Sequence, residues 1–269
     1  MKKILSSAIN VSRDERVDSS PSSKGNQIKW RTYDGFWLKS DDLGYEGLSE
    51  SIASELLKKS NIQSYAPYVP CIITEEGVEY RGCISEDFLT SGESLITISR
   101  LYETHERDIY AEFEGKNASR RLSEMIETVT GFTKLQEFGS WLGKLLEFDA
   151  FILNEDRHLH NIAVIRRLDN SFRLMPIFDN GAAFLSDTRR DYPLTAPTSI
   201  LINKVRCKPI VTLFDKQIDA VSEVVGLSLK LELNINFEAG SHKYYDSKEV
   251  GRIKQIIDIQ SKRYPHLFI

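Results

Sequence analysis

The feature that most constrains this chain is a polar segment, NEDRHLHN at residues 154–161, enclosed by two apolar runs. The run before it reads FDAFIL at 148–153, and the run after it reads IAVI at 162–165. Apolar runs of this kind predict buried elements, whereas charged and amide side chains stay out of a protein interior unless they are paired or functional. We therefore expect the fold to bury both flanks and to present the segment between them as a functional loop.

The amino-terminal third of the chain predicts a sheet with one helix. Asp34-Gly35 is a typical two-residue hairpin turn with β-prone residues on both sides, and Glu76-Gly77 predicts a second turn. The expected strands lie at about 28–33, 36–40, 71–75 and 78–85. Ser49 is the expected cap of a helix over residues 50–60.

The pattern changes after residue 90. Apolar periodicity predicts helices at about 118–130, 133–149, 214–225 and 248–261. Two apolar segments around the turn Asp169-Asn170 predict a short hairpin, and strict alternation predicts a strand at 227–237. We expect an α+β, bilobal fold with a β-rich lobe over 1–90, a mainly helical lobe over 91–269 and a ligand site in the cleft between them.

The composition argues against several classes of protein. The net charge is −4 and the isoelectric point about 5.8, so no direct contact with nucleic acid is expected, because nucleic-acid-binding domains carry basic patches. No apolar run approaches the roughly 18 residues that span a bilayer, and we expect no membrane partner. The three cysteines, an odd number without a Cys/His cluster, favour reduced thiols in a cytoplasmic protein, with leaderless secretion left open.

The spacing of acidic and amide residues indicates phosphoryl-transfer chemistry. Asp156 is followed five positions later by Asn161, and Asp179 follows the predicted hairpin in the string FDNG. This order is typical of phosphotransferases with a kinase fold, in which positioned Mg²⁺ and a positioned nucleophile do most of the work. Asp156 would orient an attacking hydroxyl or accept its proton, while Asn161 and Asp179 would supply the oxygen ligands that Mg²⁺ prefers.

Such a site also needs a cation for the nucleotide phosphates. Lys39 is the candidate, at the end of the strand FWLK, and the small polar loop SSPSSKGN at 19–26 precedes the hairpin. A carboxylate on the following helix should pair with this lysine, with Glu50 the first candidate and Glu55 the second. Residues 182–214, which follow Asp179, are equally compatible with a substrate platform and with an inert surface loop.

Taken together, these segments resemble the HipA-like kinases, bacterial toxin-type serine/threonine kinases. The similar segments are the loop SSKGNQIK at 22–29 (S-x-x-G-x-Q-x-K), FWLK at 36–39 (F-x-x-K), SESIA at 49–53, EDF at 86–88 (E-x-F), DRHLHN at 156–161 (D-x-H-x-x-N) and PIFD at 176–179 (P-x-[YF]-D). The strings DRHLHN and PIFD are specific matches, whereas the similarity of the loop SSKGNQIK and of the helix start SESIA is weak when taken alone.

The resemblance implies an ATP- and Mg²⁺-dependent serine/threonine protein kinase. Asp156 would be the catalytic base, Lys39 and His158 would contact the nucleotide phosphates, and Asn161 and Asp179 would bind Mg²⁺. The resemblance implies three further contacts to ATP. These come from Gly25 in the loop, from Glu50 on the helix, and from a hinge at Glu86 and Phe88 whose backbone holds adenine.

The resemblance also implies regulation by autophosphorylation in the loop. Ser22 occupies the position of the phosphorylated serine and Ser23 is adjacent, so a phosphate there would place negative charge beside the ATP phosphates. The loop begins near residue 19, which is more similar to the short stand-alone members than to the full-length toxins. The protein substrate is therefore not identified, and an antitoxin or other regulatory partner stays open.

Three alternatives accompany this interpretation. The DRH-x-x-N string is shared with phosphoinositide kinases, so a lipid or small-molecule substrate is the first. A nucleotide-binding pseudokinase is the second, although Lys39, Asp156, Asn161 and Asp179 are all in place. A metal site formed by His158, His160 and Asp156 is the third, and it lacks a further ligand cluster in the sequence.

Overall fold

The Asp34-Gly35 turn closes the hairpin around which the amino-terminal sheet is built. The computed structural model describes residues 8–17, 27–233 and 243–268. Gly35 has φ +86°, a conformation that glycine adopts without strain and that suits a tight hairpin. The hairpin strands are β3 (Lys29–Arg31) and β4 (Phe36–Ser40), with Lys29 opposite Lys39.

A six-stranded sheet in the order β1-β5-β6-β4-β3-β2 extends from this hairpin. Its other strands are β1 (Ile9–Val11), β2 (Arg16–Val17), β5 (Val69–Glu75) and β6 (Val78–Glu86). The four strands expected from the sequence are thus present, and β1, which runs parallel to β5, and β2 were not expected. Short strands of two or three residues carry too little periodicity to be read from sequence.

Helix α1 (Glu46–Lys58) lies against this sheet and begins four residues earlier than expected. The Ser49 cap was therefore wrong. The Glu46 carboxylate accepts hydrogen bonds from the N–H groups of Leu43 (2.6 Å) and Gly44 (3.0 Å), so the turn before the helix is stabilised from Glu46 instead. Ser49 lies inside the helix, and its hydroxyl donates to the carbonyl of Ala183 at 3.1 Å.

The rest of the described chain is mainly helical around a three-stranded sheet, β7-β8-β9. The strands are β7 (Ser94–Thr97), β8 (Ala163–Arg166) and β9 (Phe172–Leu174). The helices are α2 (Ile98–Glu103), α3 (Ile109–Phe113), α4 (Ala118–Thr133), α5 (Phe138–Ile152), α6 (Thr198–Leu201), α7 (Phe214–Val224) and α8 (Ser247–Arg263). The α+β class is confirmed, and all four expected helices and the hairpin around Asp169-Asn170 are present.

The strand expected at 227–237 is wrong over 227–233, the part that the structure describes. There the backbone contacts successive partners rather than one neighbouring strand. The N–H of Leu231 donates to the carbonyl of Leu267, and that of Glu232 donates to the carbonyl of Lys59. The alternation reflects the burial of Leu229 and Leu231. No β-ladder forms, because the backbone hydrogen-bond partners come from two separate segments of the chain. None of the helices in the described ranges is long and apolar enough to cross a membrane.

Candidate active site

Lys39 lies at the centre of a buried ion-pair network. Side chains alternate along β4, so Leu38 packs with Trp30 and Ile73 on one face of the sheet and Lys39 is on the other. The Lys39 ammonium donates to Glu50 Oε1 at 2.8 Å and to Asp179 Oδ1 at 2.7 Å. Glu50 is thus the carboxylate on α1 that Lys39 contacts. A buried ammonium needs such partners, because desolvation without them would be prohibitive.

The electrostatics of this network keep its charges in place. Burial alone would lower the pKa of Lys39, but the Asp179 and Glu50 carboxylates outweigh it and hold that pKa well above its usual value. Burial acts to raise the pKa of Asp179, whereas Lys39 and Lys29 lower it, and the net pKa lies far below its usual range. At neutral pH the network therefore presents an ionised carboxylate next to a charged ammonium.

Asp179 is held in an uncommon backbone conformation. Its φ is +61°, in the left-handed region that residues other than glycine seldom adopt. The chain is fixed on both sides of it, because the N–H of Asn180 donates to Glu50 Oε2 at 2.8 Å and the carbonyl of Phe178 accepts from Arg157 at 2.7 Å. Strained residues held by their surroundings in this way cluster at functional sites.

Arg157 joins the catalytic-loop segment 154–161 to the segment after β9 that carries Asp179. Its side chain is fully buried and forms an ion pair with Asp149 at the end of α5, with Nε 3.0 Å from Oδ2. The guanidinium also donates to the carbonyls of Phe178 (2.7 Å) and Asn161 (3.3 Å) and to Asn180 Oδ1 (2.7 Å). The planar fork of arginine suits these several acceptors, so Arg157 fixes the loop and the segment around Asp179 together.

Asp156 is the carboxylate that the loop presents. Its Oδ1 accepts from the ammonium of Lys208 at 3.0 Å, and its Oδ2 lies 3.9 Å from His158 Nε2. Its backbone N–H donates to the side-chain oxygen of Asn154 at 3.2 Å. The neighbouring Glu155 accepts from the hydroxyl of Tyr192 at 2.7 Å, which fixes the loop from the segment after Asp179.

The ring of His158 is oriented by the backbone of the neighbouring His160. Its Nδ1 accepts from the N–H of His160 at 3.2 Å, so the neutral ring carries its hydrogen on Nε2. Burial lowers the pKa of His158, as do the charge of Lys208 and the neighbouring His160, while Asp156 and Asp179 act in the opposite direction. Both aspartates therefore lie close enough to His158 to influence its titration.

Asn161 is oriented with its oxygen available for a ligand. Its Nδ2 donates to the carbonyl of Asp156 at 3.0 Å, which leaves Oδ1 as the atom that could bind a metal. Within residues 8–17, 27–233 and 243–268 there is no group of three or more His, Cys, Asp or Glu side chains that could hold a metal ion. The alternative metal site of Asp156, His158 and His160 is therefore not formed. An Asn–Asp pair fits Mg²⁺, which takes few protein oxygens and completes its shell with phosphate and water.

The segment expected to hold adenine follows β6 directly. Glu86 is the last residue of β6 and lies opposite Phe36, and the N–H of Asp87 donates to the carbonyl of Gly35. The ring of Phe88 packs on that of Phe178, with centroids 5.2 Å apart. Contact between these rings joins the segment after β6 to the residue that directly precedes Asp179.

The structure brings most of the predicted site residues into two adjacent groups. Lys39, Glu50 and Asp179 form the first, and Asp156, His158 and Asn161 form the second. Ser22, Ser23 and Gly25 lie outside the described residues. The sequence alone gave no individual role to Arg157 or Lys208. Arg157 lies within the DRHLHN motif, but Lys208 is 52 residues from Asp156 and belongs to none of the segments that resemble the kinase family.

Comparisons with known proteins address the fold. No protein-family model matches the chain, and no curated protein matches its sequence. Among solved structures, the chain is similar to a proinflammatory kinase of Helicobacter pylori, CtkA, with a TM-score of 0.63 over 96% of this chain and 95% of that chain. This chain has a kinase-like fold. The sequence identity is 15%, so the likeness shows the architecture, and the expected bilobal α+β kinase-like fold is confirmed.

Proposed function

We propose that this protein is an ATP- and Mg²⁺-dependent serine/threonine protein kinase of the HipA-like type. The observation that carries the proposal is the buried Lys39 between Glu50 and Asp179, with the loop of Asp156 beside it. Protein kinases require a strand lysine paired with a helix glutamate and a metal-binding aspartate in this relation. The fold shared with a kinase supports the same reaction class.

The proposed roles follow from the chemistry of each side chain. Asp156 accepts the proton of the attacking hydroxyl, Lys39 binds nucleotide phosphate, and the neutral His158 donates a hydrogen bond to it. Asn161 and Asp179 would hold Mg²⁺. When bound, Mg²⁺ neutralises charge on the phosphate oxygens.

The proposed nucleotide cleft lies between a lobe over residues 1–90 and a lobe over 91–269. The hinge would be residues 86–88, where the carbonyl of Glu86 and the N–H of Phe88 are suited to the donor and acceptor edge of adenine. The carbonyl of Phe88 accepts from Arg173 at 3.0 Å, and that of Glu86 accepts from the Ser85 hydroxyl at 3.2 Å and keeps a second lone pair for adenine. Ser22 or Ser23 is the proposed site of autophosphorylation, and Gly25 is the proposed glycine of the phosphate-binding loop.

The proposal is tested by incubating the purified protein with ATP and Mg²⁺ and mapping phosphate by mass spectrometry. We expect phosphate on Ser22 or Ser23 in the natural protein, and a loss of about 10²–10⁴-fold in rate for Asp156→Asn, because asparagine cannot accept the hydroxyl proton. Asp258→Asn, an equivalent change on an exposed site of α8, should leave the rate unaltered.

Other outcomes assign the chain to the alternatives. ATP binding without transfer to any protein, peptide or lipid would identify a pseudokinase and overturn the proposal. Transfer to phosphoinositide vesicles, but not to protein, would identify a lipid kinase with the same fold. Incorporation that Asp156→Asn does not reduce would show that the assigned base is wrong.

A further inference from the structure

Lys208 contacts the carboxylate at which the proposed reaction takes place. It lies in the loop between α6 and α7, and its ammonium is 3.0 Å from Asp156 Oδ1. Resting on the proposed function, we infer that Lys208 is a further catalytic residue, the cation that binds the phosphoryl group during its transfer. The reason is positional: the phosphoryl group must approach the hydroxyl that Asp156 deprotonates, and Lys208 is already next to that carboxylate.

The loop that carries Lys208 is held on both sides of it. Cys207 and Ile210 are buried, with exposed fractions of 1% and 0%. The N–H of Cys207 donates to the carbonyl of Thr212 at 3.1 Å, and Arg121 on α4 donates to the carbonyl of Ile210 at 3.0 Å. The backbone of Lys208 is therefore anchored while its side chain stays partly exposed, at 42%, on the side of Asp156.

The other cations described above act on groups other than the Asp156 carboxylate. Lys39 is paired with Glu50 and Asp179, and Lys29 lies opposite it in the sheet and acts on Asp179. Arg157 is fully buried against Asp149 and the loop backbone. The Nδ1 of His158 accepts from the N–H of His160, so this ring offers a hydrogen-bond donor at Nε2 rather than the ammonium of a lysine. On the Asp156 side of the site, Lys208 is the described cation placed to meet a group that carries negative charge.

The step can be written with its atoms and electrons in balance. The substrate hydroxyl oxygen forms a bond to the γ-phosphorus of ATP, and its proton passes to Asp156. The bond from that phosphorus to the bridging oxygen breaks, and the electron pair leaves with ADP. The ammonium of Lys208 moves from Asp156 Oδ1 toward the oxygens of the transferred group, where negative charge is concentrated in the transition state.

The test compares Lys208→Met with Lys204→Met, an exposed lysine of the same segment. We expect Lys208→Met to reduce kcat for phosphoryl transfer about 10²–10³-fold, while the affinity for Mg·ADP, which lacks the γ-phosphate, changes less than twofold. Lys204→Met should alter neither quantity. A Lys208→Met protein with unchanged kcat would overturn the inference and leave the proposed function standing, whereas an inactive natural protein would remove both.

Chemical rescue separates a catalytic ammonium from a structural one. In Lys208→Cys, treatment with 2-bromoethylamine attaches an amine through a thioether of nearly lysine length. The native cysteines Cys71, Cys83 and Cys207 are buried, so the new thiol should react first. We expect treatment to raise the kcat of Lys208→Cys at least tenfold and to leave the kcat of Lys208→Ala unchanged. No recovery in a folded, fully alkylated Lys208→Cys protein would contradict a catalytic role.

Discussion

At the scale of single residues, Arg157 shows how a charge can be buried in this molecule. Its guanidinium is fully buried, yet every group that it contacts is an acceptor: the Asp149 carboxylate, the carbonyls of Asn161 and Phe178, and the amide oxygen of Asn180. A buried charge is tolerated when its hydrogen bonds are made, and removing one partner leaves the other unpaired. Arg157 therefore stabilises the fold chiefly as one half of a pair.

A double-mutant cycle measures this pairing. We expect Arg157→Met and Asp149→Leu each to reduce the free energy of unfolding by about 3–5 kcal/mol, because each leaves a buried partner uncompensated. The double variant should cost less than the sum of the two, since no charge is then left alone. The measurement is urea unfolding, with exposed Arg120→Met as the control that changes stability by less than about 0.5 kcal/mol. Strictly additive costs would contradict the pairing.

At the scale of elements, the sequence predicts features that depend on neighbouring residues, but not contacts between distant segments. The turn residues Asp34-Gly35 determine the hairpin, and the position of Lys39 follows from it by alternation. The beginning of α1 could not be predicted, because it depends on the Glu46 carboxylate turning back to the preceding loop. Lys208 could not be predicted either, since its approach to Asp156 depends on the packing of a loop 52 residues away rather than on a nearby string.

The amino-terminal end of α1 should make stability depend on pH. Asp41 accepts from the N–H of Gly47 at 2.6 Å, and burial, with help from the nearby Glu46, raises the pKa of Asp41 to about 7, against the opposing charge of Arg81. The folded state then binds a proton that the unfolded state has released, so this contribution to stability is full below about pH 4 and is lost as pH rises through about 7.

We expect Asp41→Asn to remove this dependence. Between pH 5 and pH 8 the natural protein should lose on the order of 2–3 kcal/mol of unfolding free energy relative to Asp41→Asn, as measured by urea titration at each pH. Asparagine keeps an oxygen for the N–H of Gly47, so the comparison isolates the proton. Parallel stability curves for the two proteins would show that Asp41 is ionised in the fold throughout this range.

At the scale of the whole molecule, helix α8 connects the amino-terminal sheet to the catalytic loop. Glu249 on α8 accepts from Arg81 of β6 at 3.0 and 3.1 Å. One turn further, the buried Arg252 donates to the backbone carbonyls of Tyr192, Pro193 and Ala196. The hydroxyl of Tyr192 in turn holds Glu155, the neighbour of Asp156. A helix far along the chain thus restrains both sides of the proposed cleft.

Loss of Arg252 should loosen the segment that it holds. For Arg252→Met we expect amide hydrogens over 192–200 to exchange at least tenfold faster, because three backbone carbonyls lose their donor. Phosphoryl transfer should also decrease, through the weakened contact between Tyr192 and Glu155. Lys262→Met, an exposed change on the same helix, is the matched control. Unaltered exchange over 192–200 would show that the segment is held by its own packing.

The burial of Lys39 has a consequence for chemical labelling. Acylating electrophiles attack the neutral amine, and Lys39 has an exposed fraction of 6% and is kept protonated by two carboxylates. Lys216 and Lys262, by contrast, are exposed to solvent and each contacts one surface carboxylate. A general amine reagent will therefore footprint the surface and spare this side chain. An electrophile that reaches Lys39 must be delivered into the cleft by a group that binds there and draws the carboxylates away.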